Sequence, residues 1–189
     1  MTFDPARAIA YPWLIVGAVW IITAVTAKRA RLHEPSASRL LHLVYMAAVF
    51  GLLFRPHMRV GPLGRSIVSD SASTYLGFTL TVLGVAFAIW ARLALGGNWS
   101  GTVTLKENHT LVRRGPYRIV RHPIYAGGLV AMLGTAMVYG QVGCFLAVLL
   151  AFVGWRLKAR REEEFMTQAF GDQYRCYQQE VKQLIPFVL

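Results

Sequence analysis

Residues 124–155 read IYAGGLVAMLGTAMVYGQVGCFLAVLLAFVGW, a stretch without a single charge. It divides at Gly140-Gln141 into two apolar runs, Ile124–Tyr139 and Val142–Trp155. Two apolar runs joined by so short a link must turn back on one another, so the stretch predicts a tight helical hairpin. A helix that crosses a bilayer needs about 20 apolar residues. Each arm is short of that, so the hairpin spans only if its helices extend into their flanks or the bilayer thins locally.

Three further apolar segments lie upstream. Ile9–Ala27 has no charge, Leu40–Phe54 is interrupted by one His, and Tyr75–Leu95 is broken only by Arg92. The first reads as a spanning segment and not as a cleaved signal. Its run is too long, no basic cluster precedes it, and Lys28, Arg29 and Arg31 follow it. The whole chain of 189 residues is 55% hydrophobic and 15% charged, with a mean hydropathy of +0.43. An average soluble domain carries about 25% charge, and disorder requires low hydrophobicity, so both classes are disfavoured. The expected fold class is all-α: an integral membrane protein with about five transmembrane helices, the last two a hairpin, and C-terminal cytoplasmic helices. Residues 1–95 form three N-terminal transmembrane helices, and residues 96–189 a second region carrying the polar chemistry.

The formal charge of +11 fits nucleic acid, anionic lipid or the inner loops of a membrane protein. Its distribution decides. Lys and Arg number one before the first segment, four in the first loop and three in the second. There are six in the third loop, counting Arg92 at its rim, none at the hairpin tip and six in the tail; the alternate sides hold sixteen and four. Positive charge stays in the cytoplasm, which predicts an outside N-terminus and a cytoplasmic C-terminus, with no nucleic acid partner. The membrane is the inner one if bacterial and the endoplasmic reticulum if eukaryotic.

Familiar sites are missing: no G-x-G-x-x-G between strand and helix, no phosphate loop, no H-E-x-x-H and no G-x-S-x-G. Cys144 and Cys176 are lone thiols, and His33, His42 and His57 have no ligand spacing, so no metal is expected. Chemistry must come from residues 96–123 and 156–189. Pro123 suits the first turn of the fourth segment's helix. The tail predicts a helix over Leu157–Phe170 with Gly171 as its C-cap, then a second helix capped by Asp172 and running to about Leu184. Glu162, Glu163 and Glu164 have an ordinary reading as a solvated face with Lys158 and Arg160 at i,i+4, each pair worth about 0.3–0.5 kcal/mol. His122, Arg121, Tyr117 and Tyr125 likewise have structural readings singly, and Arg92 is expected to snorkel to the interface or to face a polar cavity. The case for function is their density. Arg113 to Tyr125 gathers four Arg, one His and two Tyr around Gly115, Pro116 and Pro123.

Residues 109–128, HTLVRRGPYRIVRHPIYAGG, and 158–187, KARREEEFMTQAFGDQYRCYQQEVKQLIPF, carry a two-part motif. G-P-Y-x-x-x-R-H-P-x-Y-x-G is followed by a Glu pair, F-G, two Tyr, Val and Pro at fixed spacing. The motif resembles the isoprenylcysteine carboxyl methyltransferase family, and phospholipid methyltransferases share a looser version. The resemblance covers the chain from near Asn98 to the end. It implies an integral membrane methyltransferase using S-adenosylmethionine, bound without a Rossmann fold, and a lipophilic acceptor entering from the bilayer between helices. Carried over residue by residue, His109, Thr110, Leu111 and Val112 line the cofactor, and Tyr117, His122, Pro123, Ile124 and Tyr125 add contacts. Glu162 becomes the cofactor-binding carboxylate. Lys158 becomes the basic residue that meets the substrate, with Arg160 as its alternate. The small residues Ala126, Gly127, Gly128, Ala131 and Gly134 are expected to let helices approach closely near the entry gap.

The acceptor expected from the resemblance is the carboxylate of a prenylcysteine-like molecule. Such a group is ionised near pH 7 and needs no general base. Three other readings compete: an amine acceptor of phospholipid type, with His122, Glu162 or a Tyr as base; a sterol-reductase-like enzyme binding NADPH through Arg113, Arg114 and Arg118; and a non-enzymatic lipid-binding module using the basic face.

Overall fold

The computed structural model describes residues 4–24, 30–33, 36–54, 61–96, 104–106, 111–186 and 188. A short α1 (Pro5–Ala8) leads into α2 (Ala10–Ala24), followed by β1 (Ala30–His33), α3 (Ser36–Phe54), α4 (Ser71–Leu95), β2 (Thr104–Lys106), α5 (Pro123–Tyr139), α6 (Val142–Phe170) and α7 (Asp172–Glu180). Among the described residues, four helices are long and apolar enough to cross a membrane: Pro5–Ala24, Ala37–Phe54, Ser71–Leu95 and Val142–Phe170. The fifth, Pro123–Tyr139, is shorter. The expected five apolar helices are present. At 1.5 Å per residue the 17 residues of α5 reach only about 25 Å, less than the roughly 30 Å of a hydrocarbon core. One feature was not expected. β1 and β2 pair antiparallel, with Ala30 opposite Lys106 and His33 opposite Thr104.

The hairpin forms as its sequence demands. Pro123 opens α5 at a position where its missing N–H costs nothing. Gly140 ends it in the left-handed region at φ 66°, and a Cβ there would lie 1.8 Å from the Val68 carbonyl oxygen. That oxygen belongs to the loop before α4, whose Ile67 N–H donates to the Gly140 carbonyl at 2.8 Å. The loop thus pins the hairpin tip. Asp70 then caps α4, accepting from the Ser73 N–H at 2.8 Å.

α6 corrects the reading of a separate tail helix. Its 29 residues run unbroken from the apolar arm through the charged segment. No Gly or Pro interrupts residues 155–170, and Lys, Arg, Glu and Ala are strong helix formers, so a change of polarity does not end the helix. Gly171 does, at φ 54°. α7 stops at Glu180 and not near Leu184, because the next residues are used elsewhere. The Arg121 N–H donates to the Lys182 carbonyl at 2.8 Å and the His122 N–H to that of Gln183 at 3.0 Å.

The most extensive helix interface joins α4 and α5, and glycine allows it. A Cβ on Gly77 would meet the Gly134 carbonyl oxygen at 2.6 Å, and one on Gly127 would meet that of Gly84 at 2.7 Å. Thr81 and Thr135 bond across the seam, and Trp13 of α2 donates to Thr135 at 3.0 Å. The small stripe of α5 therefore serves its union with α4, with Gly128 making room for Trp155. The other flank of the hairpin packs on α3, where Val49, Leu53, Met132, Ala136, Ala147 and Ala151 form the core. Arg92 does not snorkel. It is 1% exposed and donates to the Thr23 carbonyl at 2.7 Å and the Gly96 carbonyl at 3.1 Å. A cation there meets the negative ends of α2 and α4 together.

Gly134→Leu is expected to separate α4 from α5 and to lower the thermal unfolding midpoint in detergent by an amount equivalent to at least ~2 kcal/mol. Gly17→Leu, at a position with nothing within 4 Å, should leave it nearly unchanged.

Candidate active site

The Arg-Gly-Pro-Tyr segment folds into a single 3-10 turn, Gly115–Arg118, that buries Pro116 and Tyr117. A little further on, Arg121 and His122 sit at the entrance to α5. Opposite them, Glu162 and Glu163 project from α6. Successive helical residues point about 100° apart, so each of two adjacent carboxylates has partners of its own beside any they share. Glu163 is 8% exposed. Its Oε1 accepts from Arg121 Nε at 2.7 Å, and its Oε2 accepts from the same guanidinium at 3.2 Å and from Gln178 Nε2 at 3.2 Å. Glu162 accepts from the Tyr125 hydroxyl at 2.6 Å. His122 bridges the pair, with Nε2 3.1 Å from Glu163 and Nδ1 3.3 Å from Glu162. An adjacent Arg-His pair thus locks onto an adjacent Glu pair. The ordinary reading of the Glu run as a solvated face holds for exposed Glu164 only.

Arg121 reaches further. Its Nη1 donates to the Gln178 carbonyl at 3.1 Å and to the Val181 carbonyl, which ties the end of α7 beneath the loop. Tyr177 donates from its hydroxyl to the Tyr117 carbonyl at 2.5 Å, and Arg113 pairs with Glu180 and lies over the Tyr177 ring. The tail is strapped across the loop at three points.

Beside the lock runs a row of rings. Tyr125 stacks with His122 at 5.6 Å between centroids and 3° between planes, and with Trp155 at 5.7 Å and 11°. The ammonium of Lys158 lies 5.8 Å over the Tyr125 ring. Trp155, Lys158 and Glu162 recur at i, i+3 and i+7, so they share one face of α6.

Burial works against a charged His122, yet hydrogen bonds and charge from Glu162 and Glu163 outweigh it and raise its pKa above the ordinary 6.5. Burial, aided by the charge of Glu162, pushes the Tyr117 hydroxyl upward. Burial also raises Tyr174 and Tyr177, so these phenols remain neutral donors.

Of the residues singled out in the sequence, His122, Tyr125, Lys158 and Glu162 are brought together, with Pro123 buried and Ile124 half-buried at the same helix start. Tyr117 is buried beside them and feels the charge of Glu162. Leu111 and Val112 are half-buried in the approach to the turn. Arg160 is exposed and sits midway between Lys158 and Glu162 in the chain, on the far side of the helix. His109 and Thr110 fall outside the described residues. Sequence reasoning missed Glu163, Gln178 and Trp155. The i, i+3, i+7 spacing with Lys158 and Glu162 was a signal for Trp155.

A family model described as phospholipid methyltransferase matches residues 72–173, more than half of the chain. The chain belongs to the phospholipid methyltransferase family. It is 36% identical over 118 residues to protein-S-isoprenylcysteine O-methyltransferase B of Arabidopsis thaliana, covering 59% of this chain and 58% of that one. It is 35% identical over 128 residues to protein-S-isoprenylcysteine O-methyltransferase of Schizosaccharomyces pombe, covering 65% and 52%. The chain spans little more than half the length of these relatives. The fold is similar to that of a eukaryotic intramembrane Ras methyltransferase, isoprenylcysteine carboxyl methyltransferase, with a TM-score of 0.60 at 21% identity, over 100% of this chain and 70% of that one. The kinship expected from the two-part motif holds, and the protein is an integral membrane protein.

Two outcomes follow from the lock. Glu163→Ala leaves Arg121 and His122 without their shared anion and is expected to destabilise the protein by about 3 kcal/mol, read from unfolding in detergent. Because the folded state raises the pKa of His122, its contribution is complete below about pH 6.5 and drains away as pH climbs through the raised value. The unfolding midpoint should fall over that interval, and His122→Asn should flatten the fall.

Proposed function

We propose that the protein is a membrane methyltransferase that moves a methyl group from S-adenosylmethionine to the carboxylate of a lipid-tailed, prenylcysteine-like acceptor. The observation that carries this reading is the juxtaposition of Glu162, the Tyr125 and Trp155 rings and the Lys158 ammonium on one face of α6 against the start of α5. When bound, S-adenosylmethionine supplies an electrophilic methyl on a sulfonium centre. The residues present fit such a donor. Glu162 offers the opposite charge to its cationic groups, and the ring faces of Tyr125 and Trp155 attract a cation. Lys158, whose ammonium lies over the Tyr125 ring, supplies the charge that draws in an acceptor carboxylate.

A carboxylate acceptor suits the state of the histidine. Both ring nitrogens of His122 are engaged by carboxylates, and its raised pKa favours the imidazolium. A histidine so held has no lone pair ready to take a proton from an amine. A carboxylate needs none taken: the C–S bond breaks, a C–O bond forms, and no proton moves. The inner-loop excess of Lys and Arg would set this cluster on the cytoplasmic side.

Titration calorimetry with S-adenosylmethionine in detergent tests the donor half. Glu162→Ala is expected to weaken binding at least tenfold, in line with the roughly 1.5–3 kcal/mol of a charged hydrogen bond, with the fold intact by circular dichroism. Unchanged binding would remove Glu162 from the role given it. Methyl transfer to an S-farnesylated N-acetylcysteine, read as base-labile ester, tests the acceptor half. Lys158→Ala should raise its KM while sparing donor affinity. Transfer to phosphatidylethanolamine and none to the thioether acid would move the protein to the amine class.

A further inference from the structure

Along the α5–α6 hairpin, with neither Trp155 nor Lys158 in its lining, lies a cavity of about 550 Å3 with apolar walls. Ala126, Val130 and Leu133 line it from α5, and Phe145, Leu149 and Phe152 from α6, each set at helical spacing. Phe87 of α4 closes one side. At the end nearest the Arg121–Glu163 lock, Val120 and the Leu184–Pro186 segment form a floor. The backbone bonds between residues 121–122 and 182–183 hold that floor in place. Leu133 and Leu149 stay 40% and 57% exposed within the groove, so the chain itself does not fill it.

Cationic residues adjoin the lining at this end in the chain. Exposed Arg118 precedes Ile119, exposed Lys182 comes two residues before Leu184, and Arg156 lies one turn past Phe152, bonded to the Gln183 side chain. The nearby carboxylates are committed, Glu163 to Arg121 and His122 and Glu180 to Arg113. We propose that this groove is a binding site for an anionic glycerophospholipid, with one acyl chain between α5 and α6 and the phosphate at Arg118, Arg156 and Lys182. A concave channel with walls and a floor orders a chain as a convex helix surface cannot, and the charge at its end selects the headgroup. Two-fold packing with a second copy would bring two cationic mouths together, which disfavours that occupant. None of Tyr125, Trp155, Lys158 and Glu162 lines the groove, so the lipid proposed for it is distinct from the methyl acceptor, and its binding can be tested without the activity proposed above.

Native mass spectrometry of the full chain in detergent, titrated separately with dioleoylphosphatidylglycerol and dioleoylphosphatidylcholine, tests this. One phosphatidylglycerol per chain should persist, with an apparent affinity at least tenfold above that of phosphatidylcholine. Leu133→Trp, which fills the groove, should remove the retained lipid. The double substitution Arg118→Gln and Lys182→Gln should bring the two lipids to equal affinity. Thermal unfolding in lipid-free detergent checks that each variant is folded, and the charge variant decides the matter by itself if the groove-filling one is not. Equal retention of both lipids by the unaltered protein overturns the proposal. So does retention unaffected by Leu133→Trp, or a stable dimer that carries no lipid.

Discussion

Glu163 holds the polar end of this molecule together. A carboxylate that is 8% exposed at the edge of a membrane helix is costly unless its charge and its lone pairs are all met. Arg121, His122 and Gln178 meet them. Those three residues come from the loop before α5 and from α7, so satisfying one anion fixes three chain segments at once. Arg121 extends the constraint by bonding the carbonyls that α7 leaves open at its end. Helices usually find such partners in water or in a cap; here a guanidinium from a distant segment supplies them.

The second carboxylate depends on the first. His122 has only two nitrogens, and Glu163 takes one of them. With that contact made, the ring plane is set, Nδ1 faces Glu162, and the ring lies parallel to Tyr125. Glu162 and Tyr125 are then held at hydrogen-bonding distance. The buried carboxylate and its half-buried neighbour are adjacent in the chain, yet their surroundings differ. One is enclosed by an arginine, a histidine and a glutamine amide, the other opens on stacked rings and a lysine. The ring row, with Lys158 beside it, is what gives the cluster a place for a cation and an anion side by side.

Much of this was legible in the sequence. The hairpin turn at Gly140-Gln141, the start of α5 at Pro123 and the stop at Gly171 follow from the backbone properties of proline and glycine, which act locally. The meeting of residues 121–125 with 162–163 was legible only through motif resemblance, since nothing local brings positions so distant in the chain into contact. The unbroken length of α6 was hidden by its change of polarity, which marks the membrane boundary and not the end of a helix. A stripe of small residues on α5 announced a close neighbour but did not say which. Only the matching glycines of α4 show that the neighbour is α4. Arg92 read as a snorkelling cation because its partners, the Thr23 and Gly96 carbonyls, are backbone groups that leave no mark in a sequence. Glu163 was passed over for Glu162 because position in a motif does not reveal which of two adjacent carboxylates turns inward.

The short α5 explains why the cluster lies where it does. A helix shorter than the hydrocarbon core that begins in a polar loop must set its first turn close to the headgroups or draw them inward. The partner helix α6 has the opposite need at its far end, where every residue from Lys158 to Glu164 except Ala159 is charged. Pairing a helix too short to emerge with one too long to stay submerged leaves a step between them, and the step is filled by the Arg121–Glu163 lock and the strapped tail. Such a step is the kind of place where a water-soluble cation and a molecule anchored in lipid could meet, as the proposed reaction requires. An acceptor held there would keep its tail in apolar surroundings, at ~0.8 kcal/mol per buried methylene, while its head met the donor among groups already oriented. Under that proposal, two unequal helices answer the energetic problem that a lipid-carrying soluble enzyme would have to solve with a moving lid.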